Sequence, residues 1–179
     1  MHLEISKRDK DLLLKIARAS IERQFHSVPD VGGLECQERL GAFVTLKRQG
    51  MLRGCIGRMM SDLPLEETIA QMAMAAAFED PRFEPVEEKE LPSLTIEISI
   101  LGALERIHDP TLVEVGRHGL YIHYKGMSGV LLPQVAVEYG WDRLTFLDQV
   151  CRKAGLRPGS WKSEDAIIHV FKGLIFGEV

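Results

Sequence analysis

The segment Leu52-Arg53-Gly54-Cys55-Ile56-Gly57 places a guanidinium two residues from a thiol. In an extended strand, residues two apart share a face. Arg53 would then stand beside Cys55 and stabilise the thiolate, the form that attacks electrophiles and binds metals. Gly54 and Gly57 flank the thiol without side chains, so a ligand or a second backbone can approach closely. The bland alternative needs no chemistry. A free cysteine in a strand is commonly a small buried apolar residue, and glycines there can simply mark a bulge.

A nucleophilic thiol needs a base within hydrogen-bond reach. Glu97, on the polar face of an alternating segment, is one candidate, and His118 and His123 are others. Most such carboxylates and histidines are solvated or structural. Together with His169 and Cys55 they could in principle ligate a metal. No H-x-x-x-H or H-E-x-x-H spacing supports that, and no metal is expected. Asp80-Pro81-Arg82-Phe83 sets a carboxylate and a guanidinium in a proline-stiffened loop. The pair can hold an anion or lock the loop, and the lock is preferred because a chain leaving a helix needs partners for its free carbonyls. The glycines make neither a dinucleotide fingerprint nor a P-loop, so phosphate-cradling chemistry has no motif behind it.

Those residues must be positioned by a chain of 179 residues with 45% apolar and 27% charged content, enough for a real core in one ordinary domain. A formal net charge of -4, with no long basic run, argues against nucleic acid as the main partner. Cys36, Cys55 and Cys151 are odd in number and far apart. They read as reduced thiols rather than a disulfide framework or zinc ribbon. The N-terminal residues lack an apolar leader core, and the longest apolar run, Met72 to Phe78, is too short to span a bilayer. The expected setting is the cytoplasm, with no membrane partner.

Ser6 and Asp9 resemble a capping box ahead of a helix that ends before Val28-Pro29. Gly41–Arg48 and Met51–Gly57 read as a hairpin closed by Gln49-Gly50. Ser61 or Asp62, with Pro64 in the first turn, opens a buried helix over Leu65–Phe78. Leu94–Ile100 alternates cleanly and reads as a strand. Leu120–Tyr124 and Val130–Leu132 form a second hairpin around the turn Lys125–Gly129. Short helices follow over Pro133–Tyr139 and Asp142–Ala154, the latter stopped by Gly155. Ala166–Phe176 is a final strand. Without regular β-α-β alternation, this order predicts an α+β fold with a mixed, largely antiparallel sheet flanked by helices.

The motifs Gly41-Ala42-Phe43-Val44-Thr45-Leu46-Lys47, Leu52–Gly57, Asp80–Phe83, Leu91-Pro92 with Ile96-Glu97-Ile98-Ser99, Gly116–Gly119, Leu131–Ala136 and Trp141 run in one order over nearly the whole chain. Together they resemble the AMMECR family, and in particular the protein A type of the AmmeMemoRadiSam system. The resemblance implies a single domain over 1–179, with a larger lobe from both chain ends and a smaller lobe from an internal segment. It also implies association with a Memo-type protein and a radical SAM enzyme. It implies no particular reaction and no particular cofactor.

Two functions follow as expectations. In the first, Arg53, Gly54, Cys55, Ile56, Gly57, Asp80, Arg82 and His118 form a cleft of a binding or accessory module that takes a small ligand or a protein. In the second, Cys55 is the nucleophile of an enzyme, Arg53 activates it, and Glu97 or a histidine is the base.

Overall fold

The structure, a computed structural model, describes residues 4–179. The first three residues of the N-terminal stretch read above for a leader lie outside them. The chain divides into two compact units, one running to Leu101 and resuming at Leu174–Val179, the other spanning Gly102–Gly173. Each has its own apolar core.

In the first unit, helix α1 covers Lys7–Glu22. Ser6 Oγ accepts from the Asp9 N–H at 3.0 Å and caps it. The expected return bond from Asp9 is absent. Its buried carboxylate instead accepts from the N–H groups of Glu35 and Cys36, at 3.2 and 3.1 Å, and ties down the loop that follows α1. Strands β1 (Ala42–Arg48) and β2 (Met51–Arg58) form the expected hairpin. Gln49 and Gly50 both take positive φ, as a twist-matched two-residue turn requires. Helix α2 covers Leu65–Phe78. Ser61 does not cap it. Its hydroxyl bonds to Thr68 Oγ1 and the Leu63 N–H, and Pro64 stands at the N-cap without a side-chain bond.

Strand β3 (Leu94–Leu101) pairs antiparallel with the far side of β1. The alternation of β1 and β3 sends Val44, Leu46, Ile96, Ile98 and Ile100 into one core with Leu13, Leu65, Ile69 and Ala73. Burying each large aliphatic side chain is worth about 1.5–3 kcal/mol, so one face of this sheet is firmly committed to the helices. The other face carries Phe43, Thr45, Lys47, Glu97 and Ser99.

The second unit holds β4 (Glu105–Ile107), β5 (His118–Tyr124), β6 (Met127–Leu131) and the first part of β7 (Ile167–Gly177), with helices α3 (Pro133–Glu138) and α4 (Arg143–Lys153). Its strands run antiparallel in the order β4-β7-β5-β6. The turn is tighter than expected. Lys125 and Gly126 alone make it, both at positive φ, and pairing resumes at Met127. Asp142 caps α4 through the Thr145 N–H, and Gly155 stops it at φ 78°. The fold is α+β, with a largely antiparallel sheet flanked by helices, as the element order predicts. The three-residue strand β4 escaped the sequence reading because Glu105-Arg106-Ile107 is too short to show a period. No helix among the described residues is long and apolar enough to cross a membrane.

Candidate functional site

The register of the first hairpin decides where the thiol points. Counting back from the turn, Arg48 pairs with Met51 and Lys47 with Leu52. Continued without interruption, that count would place Cys55 opposite Val44, on the core face. Instead the register slips between Leu46 and Lys47: Leu46 opposes Gly54 and Thr45 opposes Cys55. Arg53 is the extra residue of a β-bulge. One inserted residue flips every later side chain to the other face, and this turns Cys55 outward.

The bulge also separates the two residues expected to act together. Arg53 does not sit beside the thiol. Its Nε and Nη2 each donate to Glu90 at 2.9 Å, Nη1 donates to the Glu84 carbonyl at 2.9 Å, and Nη2 reaches the Pro85 carbonyl at 3.4 Å. The side chains are 15% and 6% exposed, so this fork-to-fork pair is well buried. Arg48 adds a second cation to the same carboxylate. The Arg53 guanidinium, above all, holds the Glu90 carboxyl down to about 2. Arg53 thus pins the bulge to the segment 84–90, with its guanidinium bonded to Glu90 and not to the Cys55 sulfur.

Cys55 lies half-buried. Its Sγ is 3.2 Å from Thr45 Oγ1, the one hydrogen-bond partner of the sulfur among the described residues. Thr45 in turn opposes Glu97 on β3, so Cys55, Thr45 and Glu97 form a row across three strands on the outer face. Glu97 is paired with Lys47 Nζ at 2.9 Å, an ion pair that leaves its carboxylate already occupied. The row therefore offers a thiol, a hydroxyl and a carboxylate–ammonium pair, but no base bonded to the thiol.

The Asp80–Phe83 loop performs the lock. The Cys55 N–H donates to Asp80 Oδ2 at 2.9 Å, and Arg82 Nη2 donates to the Cys55 carbonyl at 3.2 Å. Arg82 also grips both Asp80 oxygens, at 2.9 and 2.7 Å. Asp80 is buried, and the Arg82 guanidinium, aided by the backbone N–H groups of Cys55 and Arg82, holds its carboxyl far below the usual carboxylate range. One carboxylate and one guanidinium thus satisfy the outward N–H and C=O of an edge strand, as a neighbouring strand would.

The glycines of the hexapeptide are packing determinants. A Cβ at Gly54 would lie 2.1 Å from the Ala76 carbonyl of α2, and one at Gly57 would lie 2.2 Å from the Phe43 ring. Ile56 packs against the first core. His118 belongs to the second unit, where its Nδ1 accepts from the Glu114 N–H at 3.1 Å and burial lowers its pKa. Among the described residues, no three His, Cys, Asp or Glu side chains converge as metal ligands.

Thr45, Lys47 and Glu90 were missed by sequence reasoning. Thr45 and Lys47 enter there only as members of the strand Gly41–Arg48 and of a family motif, and the bulge alone aligns Thr45 with Cys55. Arg53 followed by glycine was the available signal for that bulge. Nothing local marks Glu90, which lies 37 residues from Arg53 in the chain.

This hairpin, with its bulge and its Asp–Arg lock, lies inside a segment that matches a known family model. The AMMECR1 model matches residues 14–176, and the chain belongs to that family. It is 40% identical to a protein of Aeropyrum pernix, covering 98% of this chain and 81% of that one. It is 41% identical to a protein of Sulfolobus acidocaldarius, covering 100% and 84%. The crystal structure of an uncharacterised protein from Pyrococcus horikoshii superposes with a TM-score of 0.88 at 38% identity, over 97% of this chain and 93% of that one.

Proposed function

We propose that the protein is a binding, accessory module whose contact surface includes the outer-face row Cys55–Thr45–Glu97 with Lys47. The observation that carries this reading is that the sulfur of Cys55 meets a hydroxyl and not a base. Arg53, Asp80 and Arg82, which sequence alone makes candidates for ligand contact, are engaged in holding β2. The surface they leave is polar and half-exposed, with both charge signs at the Lys47–Glu97 pair. Such a surface suits a small polar ligand or a protein segment better than bond-breaking chemistry. Association with a Memo-type protein and a radical SAM enzyme is part of the proposal and rests on the family resemblance.

The test is alkylation of the folded protein with iodoacetamide, followed by peptide mass spectrometry at Cys55, Cys36 and Cys151, with and without the Memo-type and radical SAM proteins of the same genome. Protection of Cys55 by a partner, with Cys36 unchanged, is the expected result. No protection, with Cys55 reacting far ahead of Cys36, overturns the reading in favour of a nucleophile. That second reading, a Cys55-dependent enzyme, has one observation behind it: the half-exposed Arg82 guanidinium lies on the Cys55 carbonyl. It predicts that Arg82→Gln slows Cys55 alkylation whereas Arg53→Met does not.

A further inference from the structure

The outer face of the second sheet carries a separate cluster. Arg106 on β4 opposes His169 on β7, and His169 opposes Tyr121 on β5. One row along, His123 opposes Ser128 across the β5–β6 hairpin. His123 Nδ1 lies 2.8 Å from Ser128 Oγ, and the Tyr121 hydroxyl donates to the same oxygen at 3.2 Å. The Tyr121 and His169 rings are 5.9 Å apart. The period of two that buries Ile107, Leu120, Ile122, Ile168 and Val170 puts all five of these side chains on the opposite face.

Two groups here lack partners. Arg106 is exposed and makes no ion pair or side-chain hydrogen bond among the described residues, whereas Arg18, Arg53 and Arg82 each hold a carboxylate. His169 is half-buried, and its Nδ1 is a buried atom with no hydrogen-bond partner. A buried polar atom left unpaired costs about 1–3 kcal/mol, so a partner that reaches it is favoured. No strand residue on this face carries a carboxylate. The face therefore presents a cation and several neutral donors with no compensating charge.

We propose that this face binds the phosphate group of a phosphomonoester. Arg106 supplies the charge and a planar fork of donors. The His169 imidazole supplies a donor from the neighbouring strand. Ser128 Oγ accepts the Tyr121 proton and, with His123 Nδ1–H donating to it as well, turns its own hydroxyl proton to the rim as the donor from a third strand. Donors on three strands suit a tetrahedral oxyanion with three free oxygens better than a planar carboxylate with two. Burial, and then the Arg106 charge, both depress the His169 pKa. A bound anion would counter the second cause directly.

The experiment is an NMR titration of the histidine ring protons of the full chain with inorganic phosphate at neutral pH and fixed ionic strength. The expected result is a saturable shift at His169, weakened about tenfold or more in Arg106→Met, as loss of a charge-assisted hydrogen bond implies. Arg152→Met, which removes an exposed arginine of α4, leaves the titration unchanged. If Arg106→Met does not keep the wild-type backbone spectrum, Arg106→Lys serves, because it keeps the charge and loses the fork, and intermediate binding is expected. An unmoved His169, an equal response in the Arg106 variants, the same shift with chloride, or tighter binding of acetate than of phosphate each overturns the proposal.

Discussion

The β1–β2 and β5–β6 hairpins are built alike and furnished differently. Each closes through two residues at positive φ, Gln49-Gly50 in one and Lys125-Gly126 in the other. In each unit a strand glycine lets a helix backbone come close, Gly54 against Ala76 of α2 and Gly129 against Ala154 after α4. In each unit a second glycine lies under a phenylalanine ring on the neighbouring strand, Gly57 under Phe43 and Gly119 under Phe171. The first hairpin alone contains a bulge at Arg53, a buried Arg53–Glu90 fork and the Asp80–Arg82 lock on its edge. The shared features make a strand–helix layer. The extra ones position a particular side chain, and that side chain is Cys55.

The largest effect is expected at the strand glycines. Gly54→Ala drives a methyl onto the Ala76 carbonyl in the last turn of α2, where the Asp80–Arg82 lock ties the end of the helix to β2, and should destabilise by about 3 kcal/mol or more. Gly129→Ala meets the backbone of Ala154, the residue that caps the C-terminus of α4, at 2.6 Å. A capping residue yields more easily, so a loss of about 1–3 kcal/mol is expected. Urea unfolding of the two variants ranks them, and equal losses would mean that the two strand–helix contacts are equally stiff.

Next come the ionic locks. Arg53→Met leaves the buried Glu90 with Arg48 alone, and a loss of about 3 kcal/mol is expected, toward the lower end for a broken buried pair. The pH dependence has a definite sign. Glu90 is depressed from 4.5 to about 2 on folding, so its contribution is fully present above about 4.5 and disappears as pH falls toward about 2. Wild-type stability should fall through that window, with Asp80 adding in the same direction, and Arg53→Met should show a flatter acid limb. Denaturant midpoints between pH 6 and pH 2 check this, and identical slopes in the two proteins would remove Arg53 as the cause.

The smallest effect is at the thiol itself. Thr45→Val deletes the hydroxyl that meets Cys55 and should cost about 0.5–1.5 kcal/mol, while leaving the fold intact. Its sharper readout is the Cys55 alkylation rate, which should change while that of Cys36 does not. Unchanged Cys55 reactivity would show that the row across the three strands does not act as a unit.

Much of this architecture was legible beforehand because it rests on local chemistry. The strict alternation of Leu94–Ile100 could bury only one face. Ser6 is a cap residue ahead of helix formers, and Gly155 offers the left-handed conformation that stops α4. The failures share a different cause. Asp9 answers a loop 26 residues away, and Glu90 answers Arg53 across 37 residues. Such partners have no signature in a local window.

The sequence by itself determined most of the segments that form strands and helices, the turn at Gln49-Gly50, and that Cys55 lies on a strand flanked by glycines. Those outcomes follow from backbone sterics and hydrophobic period, which act over a few residues. Only the tertiary structure decided which way the thiol faces and what surrounds it. One inserted residue at Arg53 inverts the face of everything after it. What holds the bulge in place is a carboxylate, a loop and a helix carbonyl supplied from elsewhere in the chain.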